Sequence, residues 1–504
     1  MEAIRSMFSR GLTRRAFLAG LGATAALPVL AACAPSVEKE IVEVEKEVTR
    51  IVEKPVEVVV EKEVEVEKVV EVEKMMEAGV VDLPNFAGDP TIRYVTWSVD
   101  GDKAYNDIIY EKTGVVCNVE PMEGGAEKLL TQVAGGVGPD VLFVDAYWQG
   151  DFFRKGQSQD FEPYFRAHNL SREGFSYDPW VENGYKGKLM GLNRLVGNTM
   201  GVLINVTQAE EEGMAADIPW WGTDDLDKWT WNEFIPWMKG MSKKSSDGRV
   251  ERYGSNMRLG HFWDLHSQTL YSYGARLFPD GWSYENDKIF LDSPDVIESL
   301  EPLFDLVTED NVVPDNDAMA AEGGHIKMFL AQRVASHPYH MHPLWVGQFK
   351  DHPDDVRMIP MPYWKRPTFN LTGNTMTVGS YSKLKDETAA YITAWVCDDD
   401  VNHAKMAKPF LLTTWMPQRY VDPLPEGRVK ETCMLSLVRS QQTSIPRLAE
   451  DVLETPRHFG SKGLFVMNTA RAAAERVMAK KQTLTEAYTE AAAEINKELA
   501  RGYN

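Results

Sequence analysis

The stretch PDVLFVDAYW (Pro139–Trp148) runs from apolar residues straight into a carboxylate and two rings, Asp145, Tyr147 and Trp148. Sugars present flat C–H faces as well as hydroxyls. Aromatic rings offer large, rigid apolar contact with a polar tip, and a carboxylate accepts from hydroxyls, so the trio suits a sugar-like ligand. In WSVDGDKAYN (Trp97–Asn106), Asp102 and Lys103 set an acceptor beside a donor. That pair suits a polyol, and it equally fits a solvated loop with a helix N-cap. HPYHMHPLW (His337–Trp345) places three histidines close together. Histidine is the commonest metal ligand, yet Pro338 and Pro343 flank an irregular segment with no Cys or carboxylate at zinc-motif spacing. No metal site is expected there, and His340 becomes a candidate ligand contact.

Other chemistries leave no mark. The chain has no Gly-x-Ser-x-Gly elbow, no phosphate-cradling glycine loop, no His-Glu-x-x-His and no convincing dinucleotide fingerprint. An enzyme is not expected, nor a cofactor. A glycosidase pair stays open, because two carboxylates need not be neighbours in sequence. The net charge is −21, and it becomes −24 without the four arginines and one glutamate of the first 32 residues. Such a balance argues against nucleic acid or an anionic bilayer surface as partner. Cys117, Cys397 and Cys433 match no metal spacing and read as buried free thiols.

The front of the chain is a separate problem. Arg5, Arg10, Arg14 and Arg15 precede an apolar run of roughly 17 residues broken by Gly20, Gly22 and Pro28, short of the about 20 needed to span a bilayer. A basic start, a short apolar middle and a small-residue exit make an export signal, residues 1–32. TRRAFL, with Arg14 and Arg15, resembles the twin-arginine export motif, although Ala19 stands where Lys is usual. LAAC resembles a lipobox, which makes Cys33 the lipidated residue and the tether to the membrane. Residues 33–82 follow, almost wholly Val, Glu and Lys, with 14 Glu and one Asp against seven Lys and Arg after Cys33. This run has no aromatic residue and little to bury. Ile41, Val44, Val48 and Ile51 fit a heptad, EVEVE fits a period of two, and Pro55 would interrupt a helix. Coiled coil and self-repelling spacer both remain open, and either lifts the rest of the chain off a membrane.

From Leu83 onward the composition is ordinary for two or three domains' worth of core. TIRYVTW and VVCNVE read as strands, GAEKLLTQVAGG as an amphipathic helix stopped by Gly135 and Gly136, and PDVLFVDA as a strand buried on both faces. That alternation predicts an α/β fold with a parallel sheet. MGVLINV and MTVGS predict further strands. WTWNEFIPWMKGM, VIESLEPLFDLV and the tail from MNTARAAAERVMAKK to INKELA predict helices. Trp229, Trp231 and Trp237, at helical spacing, are expected to pack inward.

Seven segments in order now carry a resemblance: WSVDGDKAYN, EKTGVVCNVE, LLTQVAGGVGPDVLFVDAYW, YKGKLMGLNRLVGNTMGVLINV, WTWNEF, YSYGARLFPDG and FLAQRVASHPYHMHPLW. Together they resemble the extracellular solute-binding proteins that include maltose-binding protein. Gly136, Gly138, Pro139 and Asp140 match one mark of that family, and Gly187, Lys188 and Asn205 match another. FLAQRVASH departs from a third, with Gln332 where Gly is usual. The resemblance implies a two-lobed periplasmic-binding-protein-like fold of type II, with hinge strands joining two α/β lobes. Residues 83–200 and 375–430 would form lobe 1, and residues 201–374 and 431–504 lobe 2. It further implies a monomeric receptor of an ABC importer, held outside the cytoplasmic membrane. Such a receptor closes its lobes on a sugar or oligosaccharide and delivers it to a permease with ATPase subunits. Related receptors also take peptides, polyamines or glycerol phosphates, and a surface-tethered polysaccharide hydrolase is the rival of another class. No Arg or Lys cluster in the motif loops points to a phosphate. By position in the family, the ligand contacts fall on Asp102 and Lys103 and on Trp97, Trp148, Trp263, Tyr339, Trp345 and Trp415. Asp145, Tyr147 and His340 join them from the chemistry above.

Overall fold

The computed structural model describes residues 81–145, 148–176, 178–194, 200–220, 228–260, 267–278, 288–341, 344–352, 355–367, 374–407, 414–444 and 462–502. The export signal with Arg14 and Arg15, Cys33, nearly all of the charged run, Tyr147 and Trp263 lie outside the described residues. The strands are β1 (Thr91–Thr96), β2 (Val116–Pro121), β3 (Val141–Asp145), β4 (Gly184–Tyr185), β5 (Lys188–Leu189), β6 (Leu192–Asn193), β7 (Met200–Asn205), β8 (Lys243–Lys244), β9 (Val250–Ser255), β10 (Val334–His340), β11 (Val356–Pro360) and β12 (Asn374–Val378). The helices that bear on the site are α1 (Val99–Lys103), α2 (Gly125–Ala134), α3 (Gln149–Arg154), α4 (Trp231–Met241), α5 (His325–Leu330), α6 (Lys385–Cys397), α7 (Arg428–Ser444), α8 (Gly463–Met478) and α9 (Leu484–Leu499).

Two five-stranded sheets organise these elements into two lobes, with strand orders β2-β1-β3-β12-β6 and β11-β7-β10-β9-β8. The expectation of a parallel sheet holds only inside β1, β2 and β3, and for β9 beside β10. Strand β12 runs antiparallel to β3 and β6, and β7 runs antiparallel to β10 and β11. The cause is connectivity. A strand reached through a helical crossover starts at the same end as its neighbour, whereas β7 and β12 arrive from the other sheet and enter at the opposite end.

Burial follows the apolar patterns. Every residue of β7 is buried, and its two faces serve different cores. Val202 and Ile204 join the tryptophan-rich core of Trp229, Trp231, Phe234 and Trp237 with α8 and α9. Leu203 joins Phe329, Trp345 and Phe349 on the other side. A strand covered on both faces reads as a continuous apolar run, which is why MGVLINV shows no alternation. In the first sheet, Val141 to Val144 are likewise buried, among Tyr94, Phe152, Tyr391 and Trp395. Capping boxes start α4 (Thr230 with Glu233) and α9 (Thr483 with Glu486), each satisfying orphan amides at the helix start. Helix α2 ends where Gly135 caps it and Gly136 turns into the left-handed region at φ 71°. Cys117, Cys397 and Cys433 are buried free thiols.

The chain passes between the sheets from β6 to β7 and again from β11 to β12. Both passages join the carboxyl ends of β1–β3 to the carboxyl ends of β9, β10 and β11. They touch where the Arg194 amide donates to the Asn374 carbonyl at 3.0 Å. In open α/β sheets, ligands bind outside the carboxyl ends of the strands, so both sheets present their binding ends toward the crossings.

Candidate functional site

On the first sheet, β1 ends by delivering Trp97 to the surface, where 54% of it is exposed. Its ring stacks on Trp148 at 6.5 Å between centroids and 27° between planes. Trp148 is itself buried, so it acts as the floor that fixes an exposed indole. The two come from the loops after β1 and β3, which the parallel pairing sets side by side. The rim of Trp97 lies 3.9 Å from the point where a Cβ on Gly125 would sit. Beside it, a cavity of about 190 Å³ opens between the end of β2 and α2, lined by Glu120, Met122, Glu123 and Lys128 among others. Lys103 is exposed and Asp145 half-buried.

Asp102 has another place. It is 0% exposed, accepts from Arg194 Nη2 at 2.6 Å and from Thr96 Oγ1 at 2.5 Å, and offers no surface to a ligand in this arrangement. Helix α1 buries the position that a solvated loop would have exposed. The Arg194 guanidinium also lies 5.2 Å from the ring centres of Phe143 and of Trp395. Burial pushes the Asp102 carboxyl above its usual range while Arg194 and Thr96 pull it back. Arg194 is raised, burial working against it and Asp102 for it. The pair therefore anchors the first crossing to lobe 1. Asp151, on α3, is buried with no ion-pair partner among the described residues, and burial raises its carboxyl to about 7 although Lys155 and Arg154 pull it down.

On the second sheet, Tyr339 and His340 close β10, both half-buried. The Tyr339 hydroxyl donates to Gln348, and burial raises it to about 12. His337 is buried within the strand, its Nδ1 2.8 Å from Asn256 Oδ1. Asn256 Nδ2 donates to the His325 carbonyl at 2.8 Å. That bond turns Oδ1 toward the ring, so His337 Nδ1 carries the proton and Nε2 is a bare acceptor. His325 tilts against His337 at 5.3 Å. Burial pushes His325 down to about 4 and His337 well below its ordinary value, and Arg258 deepens both shifts. Both imidazoles are neutral.

Trp345 and Trp415 sit elsewhere. Trp345 is buried in the core that α7 covers and donates to Thr432 Oγ1 at 2.9 Å. Trp415 packs edge-on to Phe175 inside lobe 1. The structure thus stacks Trp97 on Trp148, sets Asp145 at the carboxyl end of β3 and Lys103 at the end of α1, and sets Tyr339 and His340 at the carboxyl end of β10. It adds Arg194 and His325, which no motif singled out, and buries His337 of the HPYHMHPLW stretch inside β10. These are isolated residues whose nearest functional neighbours stand far along the chain. Among the described residues, no group of three or more His, Cys, Asp or Glu could hold a metal ion.

The model of the family described as bacterial extracellular solute-binding protein matches residues 89–396. The fold is similar to an ABC substrate-binding protein of Listeria monocytogenes in complex with cycloalternan, at TM-score 0.66 and 14% identity over 82% of this chain and 99% of that one. A solute-binding protein of Thermotoga lettingae bound with α-D-tagatose gives 0.62 and 22%, covering 82% and 100%. Maltose-bound MalE3 of T. maritima gives 0.61 and 15%, covering 81% and 99%. No curated protein matches the chain. At these identities the structural likeness establishes the fold, and the family is one of binding proteins rather than enzymes.

Proposed function

This chain belongs to the bacterial extracellular solute-binding proteins, and on that premise we propose that it captures a sugar or oligosaccharide outside the cytoplasmic membrane for an ABC-type importer. The observation that carries the reading is Trp97, an indole left 54% exposed and held flat on a buried Trp148 at the carboxyl end of β1. A large aromatic surface fixed in that position is a stacking platform for the C–H face of a sugar ring. Asp145 and Lys103 beside it supply an acceptor and a donor for hydroxyls. Cycloalternan, tagatose and maltose in similar structures lend support.

Capture proceeds by lobe closure. The ligand settles on the Trp97 wall, and rotation about the two crossings brings up Tyr339 and His340. Arg194, held by Asp102, keeps the lobe 1 end of the first crossing fixed. The closed form is what the permease and its ATPase subunits recognise. Cys33 carries the lipid that holds the receptor at the membrane, and the charged run sets its height. Peptides, polyamines and glycerol phosphates are the competing cargo.

The test is intrinsic tryptophan fluorescence of the full-length chain titrated with mono- and oligosaccharides, then peptides and polyamines. A saturable change with one carbohydrate and no product, weakened about tenfold or more by Trp97→Ala, supports the reading. Silence toward every sugar with a response to a peptide or amine overturns the cargo. Release of a shorter sugar overturns the receptor.

A further inference from the structure

Trp97 stands half out of the surface, so the face of Trp148 beneath it and the backbone that carries it set its direction. That backbone is held on both sides of the indole. Thr96, fully buried, donates its hydroxyl to Asp102 Oδ2 at 2.5 Å. The same oxygen accepts from the Ser98 amide at 3.3 Å and from Arg194 Nη1 at 3.4 Å, which uses the hydroxyl's single donor and both its lone pairs. The Asp102 amide in turn donates to the Ser98 carbonyl at 2.9 Å. Arg194 Nη2 reaches Asp102 Oδ1 at 2.6 Å. The residues before and after Trp97 thus belong to one buried cluster, whose cation stands on the first crossing.

The second indole has a comparable anchor on the other crossing. Gln149 follows Trp148 directly, is fully buried, and donates from Nε2 to Thr375 Oγ1 at 2.6 Å. Thr375 follows Asn374 at the start of β12, where the second crossing arrives. Its hydroxyl lies 2.9 Å from Oδ1 of Asn193, the residue before Arg194. Each half of the stacked pair is therefore tied to a different crossing, and the Arg194 amide on the Asn374 carbonyl ties the crossings to each other. Buried polar groups cost free energy that apolar side chains of the same size would not. What a bonded network gives in return is one fixed geometry.

We propose that Thr96, Asp102, Arg194 and Gln149 are positioning residues for ligand stacking. They touch no ligand themselves and act through Trp97 and Trp148, holding the pair in place at the carboxyl end of the first sheet. Asp102, which the family resemblance makes a sugar contact, works in this chain from behind the indole. The inference rests on the stacking role proposed for Trp97 and deepens it.

The test uses the full-length chain and two readouts. Stacked indoles couple in circular dichroism, and their coupled signal is the part of the spectrum that Trp97→Phe removes. It should be lost from Thr96→Val, which keeps the shape and removes the hydroxyl, and kept by Thr96→Ser. Gln149→Leu should lose it as well. Affinity is read by fluorescence titration with maltose, tagatose and cycloalternan. Whichever of them binds should bind at least about fivefold more weakly to Thr96→Val, with Thr96→Ser close to wild type. Melting curves set a temperature at which every variant is folded. Should Thr96→Val fold poorly, Arg194→Lys decides, since it keeps the buried charge paired but lacks the planar fork that serves Asp102 and Thr96 together. A coupled signal unchanged by these substitutions overturns the inference. So does a lost signal with unchanged affinity, which would also take Trp97 out of the site. Binding of none of the three probes, with the signal still lost from Thr96→Val, counts against the saccharide reading alone and leaves the positioning of Trp97 standing.

Discussion

Asp151 sits in an environment that its neighbours in sequence do not suggest. It lies between Trp148 and Arg154 on a short helix, yet it is buried, with its carboxyl raised to about 7. A folded-state value above the usual 3.8 means that the native chain holds a proton the unfolded chain has released. Its contribution is therefore fully present below about pH 4 and is lost as the pH rises through 7. Asp151→Asn keeps the shape and removes the titration. Relative to wild type the variant should gain stability between pH 5 and pH 8, by on the order of a few kcal/mol. Melting curves at the two pH values check this, and parallel pH dependence in the two proteins would refute it. At this scale the sequence is legible where a residue's chemistry is local. Trp229, Trp231 and Trp237 pack inward as their spacing predicts, and the pairing of Trp97 with Trp148 follows once the strands are parallel. Asp102 was legible as a loop acid but not as an ion-paired one, because Arg194 reaches it only across the sheet.

Among the elements, the GVGPDV turn between α2 and β3 explains why a motif can be strong without binding anything. Asp140 accepts from the Arg93 amide at 2.9 Å and from Ser382 Oγ at 2.6 Å, so it ties β1 to the segment after β12. The Tyr381 hydroxyl donates to the Pro139 carbonyl at 2.7 Å and passes over Gly138. A Cβ on Gly138 would fall 2.1 Å from that hydroxyl and 2.7 Å from Val133 Cγ2. Gly138→Ala must displace a hydrogen-bonded tyrosine or the end of α2, at a cost of about 1–3 kcal/mol. Urea unfolding checks the value, and an unchanged midpoint would mean that the turn yields freely. Strands β1, β2, β3, β7 and β12 and the long helices were legible, each long enough to show its period or its apolar run, whereas β4, β5, β6 and β8, at two residues each, were not. Strand direction was not, because no local pattern says that β7 and β12 return from another sheet.

For the whole molecule, the proposed division of labour is between a membrane tether and a binding body. If Cys33 carries the lipid, Cys33→Ser should move the protein from the membrane fraction to the soluble one with its saccharide affinity unchanged. Fractionation and titration of the same preparation test both halves, and retention in the membrane would reassign the anchor. Among the described residues no helix is long and apolar enough to cross a bilayer.

The position of β12 has a further consequence, in the timing of synthesis. It lies between β3 and β6 in the first sheet, although the ribosome makes it only after every strand of the second sheet. Until then β6 has no neighbour and the edge of β3 is open. The sheet whose first strand emerges earliest is therefore the last sheet to be finished, and its closure depends on contacts distant in sequence, which form slowly. The nascent chain passes through a stage with a complete second sheet and a gap in the first. A route of export that accepts only a finished fold would hold such a chain in the cytoplasm until β12 is in place.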